Sequence, residues 1–179
     1  MVDPPADDGG LAAYLRADHD RIDALFDAAI ADPEQFDHDA FERARAGLLR
    51  HIGIEEKILL PYARRRRGGE PLALASVLRR EHGAIASLLV PTPDHALVAE
   101  LREILGPHNQ REEQEGGLYP ILEALAGDDV DELLARARAA PEVPTAKHFD
   151  GPRATRTARE ALARSDASAR ATRTDEPSE

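Results

Sequence analysis

Helical periodicity runs through the first 140 residues of this 179-residue chain, and on each of four long apolar stripes one histidine stands where a core residue belongs. Clusters of Pro, Gly and Asp divide that region into segments over about 10–31, 38–67, 71–90 and 94–126, and strand signals are almost absent. The first segment carries Leu11, Leu15, His19, Ile22 and Phe26 at helical steps, and the second Phe41, Ala44, Leu48, His51, Ile58 and Tyr62. The third carries Leu74, Leu78, His82, Ile85 and Leu89, and the fourth Leu97, Leu101, Leu105 and His108. Four such helices joined by short connections predict an all-α fold, an up-down-up-down antiparallel four-helix bundle with a short fifth helix over 128–139. The histidines are 32, 31 and 26 residues apart (51 − 19, 82 − 51, 108 − 82), close to one helix plus one turn, so all four fall at a similar depth. Pro61 predicts a kink or break in the second helix, and Pro107 with Gly116-Gly117 a distortion of the fourth near His108.

Two of the histidines belong to a repeat. HIGIEE at 51–56 recurs as HNQREE at 108–113, each followed by Leu and Pro. Four residues turn a helix by about 400°, so His51 and Glu55 share a face, as do His108 and Glu112. The spacing alone is weak, because 34 of 179 residues are acidic and a histidine meets an acid four places on by chance roughly one time in five; His19 with Asp23 and His38 with Glu42 also satisfy it. The apolar stripe separates the informative pairs, since a polar group on a buried face is costly unless something satisfies it. Four imidazoles and two carboxylates at one level would need an elaborate hydrogen-bond network, whereas two divalent cations satisfy all six groups. The candidate metal ligands are therefore His19, His51, Glu55, His82, His108 and Glu112, a donor set suited to iron, manganese or zinc. His38, His95 and Asp23 read as solvent-facing, and His148 lies in the tail. Glu56 and Glu113 point about 100° away from their neighbours and read as solvated or as supports behind the ligands.

Composition narrows the alternatives. With no cysteine, disulfides, thiolate zinc sites, iron–sulfur clusters and cysteine nucleophiles are excluded. The net charge of −11 lies wholly in residues 1–140, where 27 acids face 16 bases, because the tail holds seven of each. So acidic a surface argues against nonspecific nucleic-acid binding. The acidic, Pro-rich 1–9 reads as a disordered terminus rather than a signal peptide, and no apolar run reaches the roughly 20 residues of a membrane span, so a soluble cytoplasmic protein is expected. Residues 10–140 form the expected bundle. Residues 141–179, rich in Ala, Arg, Thr and Ser, are expected to be mostly disordered, with a transient helix around 158–164.

A lone His on the first helix, His-x-x-x-Glu on the second, His on the third and His-x-x-x-Glu on the fourth resembles the hemerythrin-like, or HHE cation-binding, domain over about residues 10–140. The resemblance implies a helical bundle holding two iron ions in a non-haem di-iron centre. It makes Glu55 and Glu112 the bridges and His19, His51, His82 and His108 the terminal ligands. It also implies binding or sensing of dioxygen or a related ligand such as peroxide or nitric oxide. The chain departs from the oxygen carriers at two points. Their further histidine on the third helix is Ala86 here, and their fourth-helix carboxylate commonly stands where Glu113 does. The His51–Glu55 spacing favours Glu112, with Glu113 and Glu115 as the alternatives. Fewer histidines imply at least one more position open or held by water, which favours oxidation, sensing or peroxide and nitric-oxide chemistry over reversible carriage. No catalytic acid, base or nucleophile is legible apart from the metals, and a non-enzymatic metal and small-ligand binding protein is expected. The alternative is a structural or protein-interaction module without a redox role. A ferritin-like oxidase needs Glu-x-x-His pairs, and none occurs.

Overall fold

The structure, a computed structural model, describes residues 9–174, and all regular secondary structure among them is helical. Helix α1 spans Leu11–Ala29. Helix α2, His38–Ile54, starts at Asp37, whose side chain accepts a hydrogen bond from the Ala40 amide at 3.0 Å. It passes through a π-helical turn, Glu55–Leu59, into α3, Leu60–Arg66. Helix α4 spans Ala75–Leu88, and α5, His95–Glu113, is capped by Asp94 through the Leu97 amide at 2.7 Å. Helices α6, Leu118–Ala126, and α7, Val130–Arg138, are joined by a 3-10 turn, and α8 spans Ala158–Thr174. No helix among the described residues is long and apolar enough to cross a membrane.

The apolar side chains form two cores with a polar layer between them. One core gathers Leu11 and Leu15 with Ile54, Leu59, Leu78, Leu118 and Leu122. The other gathers Ile22 and Phe26 with Phe41, Leu48, Ile85, Leu101 and Leu105. Along α1 the chain leaves the first core, crosses the layer at Asp18 and His19, and enters the second. Along α2 the order reverses, with the layer crossed at His51 and Glu55, and it reverses again on α4, at Glu81 and His82; α5 runs from the second core to the layer at His108 and Glu112, and α6 then enters the first core.

The expected distortions occur near Pro61 and at the Gly116-Gly117 pair, and their kind is set by the backbone. Pro61 does not stop its helix, which continues through a π-helical turn into α3. The turn before it widens, the Leu60 amide bonding to the Glu55 carbonyl five residues back, and this relieves the clash of a proline ring with the carbonyl four residues earlier. Pro107 leaves α5 helical because it stands on an exposed face, where water can take the Glu103 carbonyl it frees. The real interruption is at 114–117, where Gly116 has φ 76° and Gly117 approaches the backbone so closely that a Cβ would lie 2.5 Å from the Arg111 carbonyl oxygen.

The tail also differs from the expected disorder. Helix α8 lies on α4 and reaches α5, with Ala161 buried, Ser165 Oγ donating to the Arg80 carbonyl at 2.7 Å, and the Ala158 amide donating to Glu100 at 2.7 Å. Small residues permit this approach, since Gly83 on α4 faces Ser165. The segment before it is tied down by Asp150, which accepts from the Thr92 amide and hydroxyl, and by Arg156 on the Thr92 carbonyl. Large apolar residues are not needed when a partner face supplies the caps. Residues 1–8 and 175–179, which belong to the two expected disordered ends, lie outside the described residues.

Candidate metal centre

All six residues singled out from the sequence meet in the layer between the two cores. His19, His51, Glu55 and Glu112 form one group of potential cation donors, and Glu55, His82, His108 and Glu112 a second, each with its donor atoms within 4.8 Å of one another. Glu55 and Glu112 belong to both groups and are fully buried. In the first group His51 Nε2 is 3.3 Å from Glu55 Oε1 and His19 Nε2 is 3.5 Å from Glu112 Oε2. In the second, His82 Nε2 is 3.0 Å from Glu55 Oε2 and His108 Nε2 is 3.2 Å from Glu112 Oε1. Each carboxylate thus turns one oxygen toward each group.

The imidazoles are oriented from behind by a closed ring of carboxylates. His51 Nδ1 donates to Asp18 of α1 at 2.9 Å, and His82 Nδ1 to Glu56 of the π-turn at 2.7 Å. His108 Nδ1 donates to Glu81 of α4 at 3.0 Å, and His19 Nδ1 to Glu113 of α5 at 2.6 Å. A hydrogen bond at Nδ1 turns Nε2 of each imidazole inward, the atom that would serve a cation once any proton on it is displaced. Arginines hold the outer carboxylates in turn. Arg21 binds Asp18 at 2.6 Å, Arg79 binds Glu56 at 3.1 Å, Arg111 binds Glu81 at 2.9 Å, and Arg16 approaches Glu113 at 3.9 Å.

One further residue enters the first group. The Tyr119 hydroxyl, on a fully buried side chain of α6, lies 2.9 Å from Glu55 Oε1 and 3.2 Å from Glu112 Oε2, either of which can accept its proton. It is also 3.0 Å from His19 Nε2 and 3.1 Å from His51 Nε2.

Burial alone would lower His51, but the Glu55 and Asp18 carboxylates raise it to about 10. Burial likewise opposes charge on His82, and the Glu112, Glu55 and Glu56 carboxylates around it raise it to about 11. Glu55 is held well below the ordinary carboxylate range because His51 and His82 outweigh its burial. Burial and the nearby Glu55 and Glu112 push the Tyr119 phenol well above the usual tyrosine range.

The donor set fits a pair of cations on an observation independent of the spacing. Glu55 Oε2, His82 Nε2 and Glu112 Oε1 are buried and have no hydrogen-bond partner, yet all three belong to the second group and face one another. Buried polar atoms without partners are rare and costly, and a shared cation removes the cost. Beside the first group, a cavity of about 20 Å³ is lined by His19, Ile22, Phe26, Leu48 and Leu105, with Asp23 and Asn109 at its polar side.

The competing fourth-helix carboxylates separate cleanly. Glu112 enters both groups, Glu113 supports His19 from behind, and Glu115 is exposed. His38 is exposed, His95 donates to the Asp32 carbonyl, and Asp23 pairs with Arg102, all outside the centre. His148 bonds to Glu42. Sequence spacing did not reveal Asp18, Glu81 or Tyr119. A signal existed for the first two, as each immediately precedes a stripe histidine, but Asp37 and Asp94 precede His38 and His95 in the same way. For the third, Tyr119 follows Glu112 by seven residues, as Tyr62 follows Glu55.

A helical bundle that buries two overlapping histidine–carboxylate groups between apolar cores is a cation-binding domain of the bundle type. The hemerythrin HHE cation binding domain matches residues 11–122, more than half of the chain, and the protein belongs to that family. No curated protein and no solved structure matches the chain.

Proposed function

We propose that the centre is a non-haem di-iron site, with Glu55 and Glu112 each bridging two irons and the four histidines as terminal ligands, and that it binds or senses dioxygen or a related ligand such as peroxide or nitric oxide. The observation that carries this reading is the division of the donors into two groups that share both glutamates. Mixed imidazole and carboxylate donors suit iron, though manganese and zinc accept the same set. The alternation of the two cores along α1, α2, α4 and the α5–α6 pair supports an up-down-up-down antiparallel arrangement of the four ligand-bearing helices. The carboxylate ring supports it too, running from α1 to α2, from the π-turn to α4, from α4 to α5 and from α5 back to α1.

Two ferrous ions at these positions would supply two electrons to a bound oxidant. The chain's own part is to hold the histidine Nε2 atoms inward, exclude bulk water with two apolar cores, and admit a small molecule. The cavity beside His19 is about the size of one water-sized ligand, and its Ile22, Phe26, Leu48 and Leu105 walls suit an uncharged one. With four histidines and no imidazole at Ala86, coordination positions are left for an exchangeable ligand. Neither nucleic acid nor membrane belongs to this reading, and a cytoplasmic location accords with it.

The test is to reduce iron-loaded protein without oxygen and then add dioxygen, hydrogen peroxide or nitric oxide while recording the absorption spectrum. Rapid, ligand-specific spectral change supports the reading. A reduced iron centre that responds to none of the three contradicts it.

A further inference from the structure

We infer that Tyr119 is itself a ligand, its phenolate oxygen binding the cation of the group formed by His19, His51, Glu55 and Glu112 and leaving the two cation positions chemically different. The inference rests on the cation-centre reading above and extends it to a residue outside the histidine and glutamate pattern.

The geometry carries it. Two donors bound at right angles to one cation, at metal–ligand distances of about 2.1 Å, are roughly 3.0 Å apart. The Tyr119 oxygen is 2.9, 3.0, 3.1 and 3.2 Å from one donor atom of each of the four residues. An oxygen that close to all four is within reach of any cation they would share. Coordination releases the hydroxyl proton to solvent, as with any ligand protonated beforehand.

Among the described residues the second group has no such oxygen, and the reason lies in the backbone. Tyr62 stands seven residues after Glu55, as Tyr119 does after Glu112, but the widened turn at Glu55–Leu59 changes its register. Its hydroxyl is buried without a hydrogen-bond partner, and its ring lies under the Arg66 guanidinium. After Glu112 the chain instead breaks at 114–117 and starts a new helix at Leu118. Side chains lean toward the N-terminus of their helix, so Tyr119, in the first turn of α6, points back to the level of Glu112. The orphaned atoms follow the same asymmetry. Tyr119 meets all four donors of the first group, whereas three of the four donors of the second lack a hydrogen-bond partner.

The experiment uses the full chain, reconstituted with ferrous iron without oxygen and then oxidised, and compares wild type with Tyr119→Phe, Tyr62→Phe and Tyr14→Phe. These are the only three tyrosines. The readouts are iron content and the visible phenolate-to-ferric charge-transfer band with its resonance-enhanced ring vibrations. The inference expects the band in wild type, its loss in Tyr119→Phe with iron retained, and its persistence in the other two variants. Ring-deuterated tyrosine in the wild-type protein should shift the vibrations, which keeps the test independent of whether Tyr119→Phe folds. An iron-loaded wild type without the band, or a band that survives Tyr119→Phe, overturns the tyrosine ligand and leaves the iron centre standing. A wild type that takes up no iron overturns both.

Discussion

Every histidine of the centre is held at both ends, by an inward donor cluster at Nε2 and by a carboxylate from another segment at Nδ1. Removing a supporting hydrogen bond of this kind typically weakens metal binding by about 10–100-fold. Asp18→Asn and Glu113→Gln should therefore lower iron affinity in a chelator competition without changing stoichiometry, whereas Glu112→Ala should abolish binding and Glu115→Ala leave it unchanged. Loss of binding in Glu113→Gln with retention in Glu112→Ala would reverse the two roles. The raised imidazoles predict a second effect. In metal-free protein His51 and His82, raised to about 10 and 11 above an unfolded value of about 6.5, contribute stability that is complete below pH 6.5 and lost as pH rises through 10 and 11. Glu55 and Asp18, held low, contribute above their ordinary range and lose that contribution on acidification. Cation binding must displace the imidazole protons, so it strengthens as pH rises. Thermal scans should thus find the melting gap between iron-loaded and metal-free protein widening between pH 6 and 9; a constant gap would contradict this. The four histidines of the buried layer were legible because each interrupts an apolar stripe. Tyr119 was not, because a tyrosine on an amphipathic helix is ordinarily a core residue.

At the scale of elements, the departures from regular helix decide which side chains reach the centre. The helical segments were readable from periodicity, and so was the presence of breakers. What each breaker does depends on contacts that a linear pattern does not contain. Pro61 is absorbed by a π-turn beginning at Glu55 itself, Pro107 is tolerated on an exposed face, and the glycine pair ends α5. The two extra residues between Glu112 and Pro120, relative to Glu55 and Pro61, become the loop that redirects Tyr119. Gly117→Ala would drive a methyl group against the backbone oxygens of Arg111, Glu112 and Gln114. Overpacking of this kind costs about 1–3 kcal/mol, so the variant should melt lower than wild type and show an altered visible spectrum when loaded. Unchanged melting and spectrum would show that the loop does not position Tyr119.

For the whole molecule, two apolar cores enclose one polar layer, and the family match over 11–122 covers all the elements that carry its six potential donors. The all-helical class was readable throughout because periodicity is a local property. Helix α8 was readable only as a transient helix over 158–164, because much of its order comes from Glu100, Arg80 and Gly83 on other helices, with Ala158, Ala161 and Leu162 packed against the second core. The central claim is that one layer holds two cations joined by Glu55 and Glu112. The most direct measurement is iron content together with the magnetic susceptibility of oxidised, reconstituted protein. The account predicts one iron for each of the two donor groups, two per chain, with their spins coupled through shared bridges. One iron per chain, or two that behave as independent magnetic centres, would contradict it.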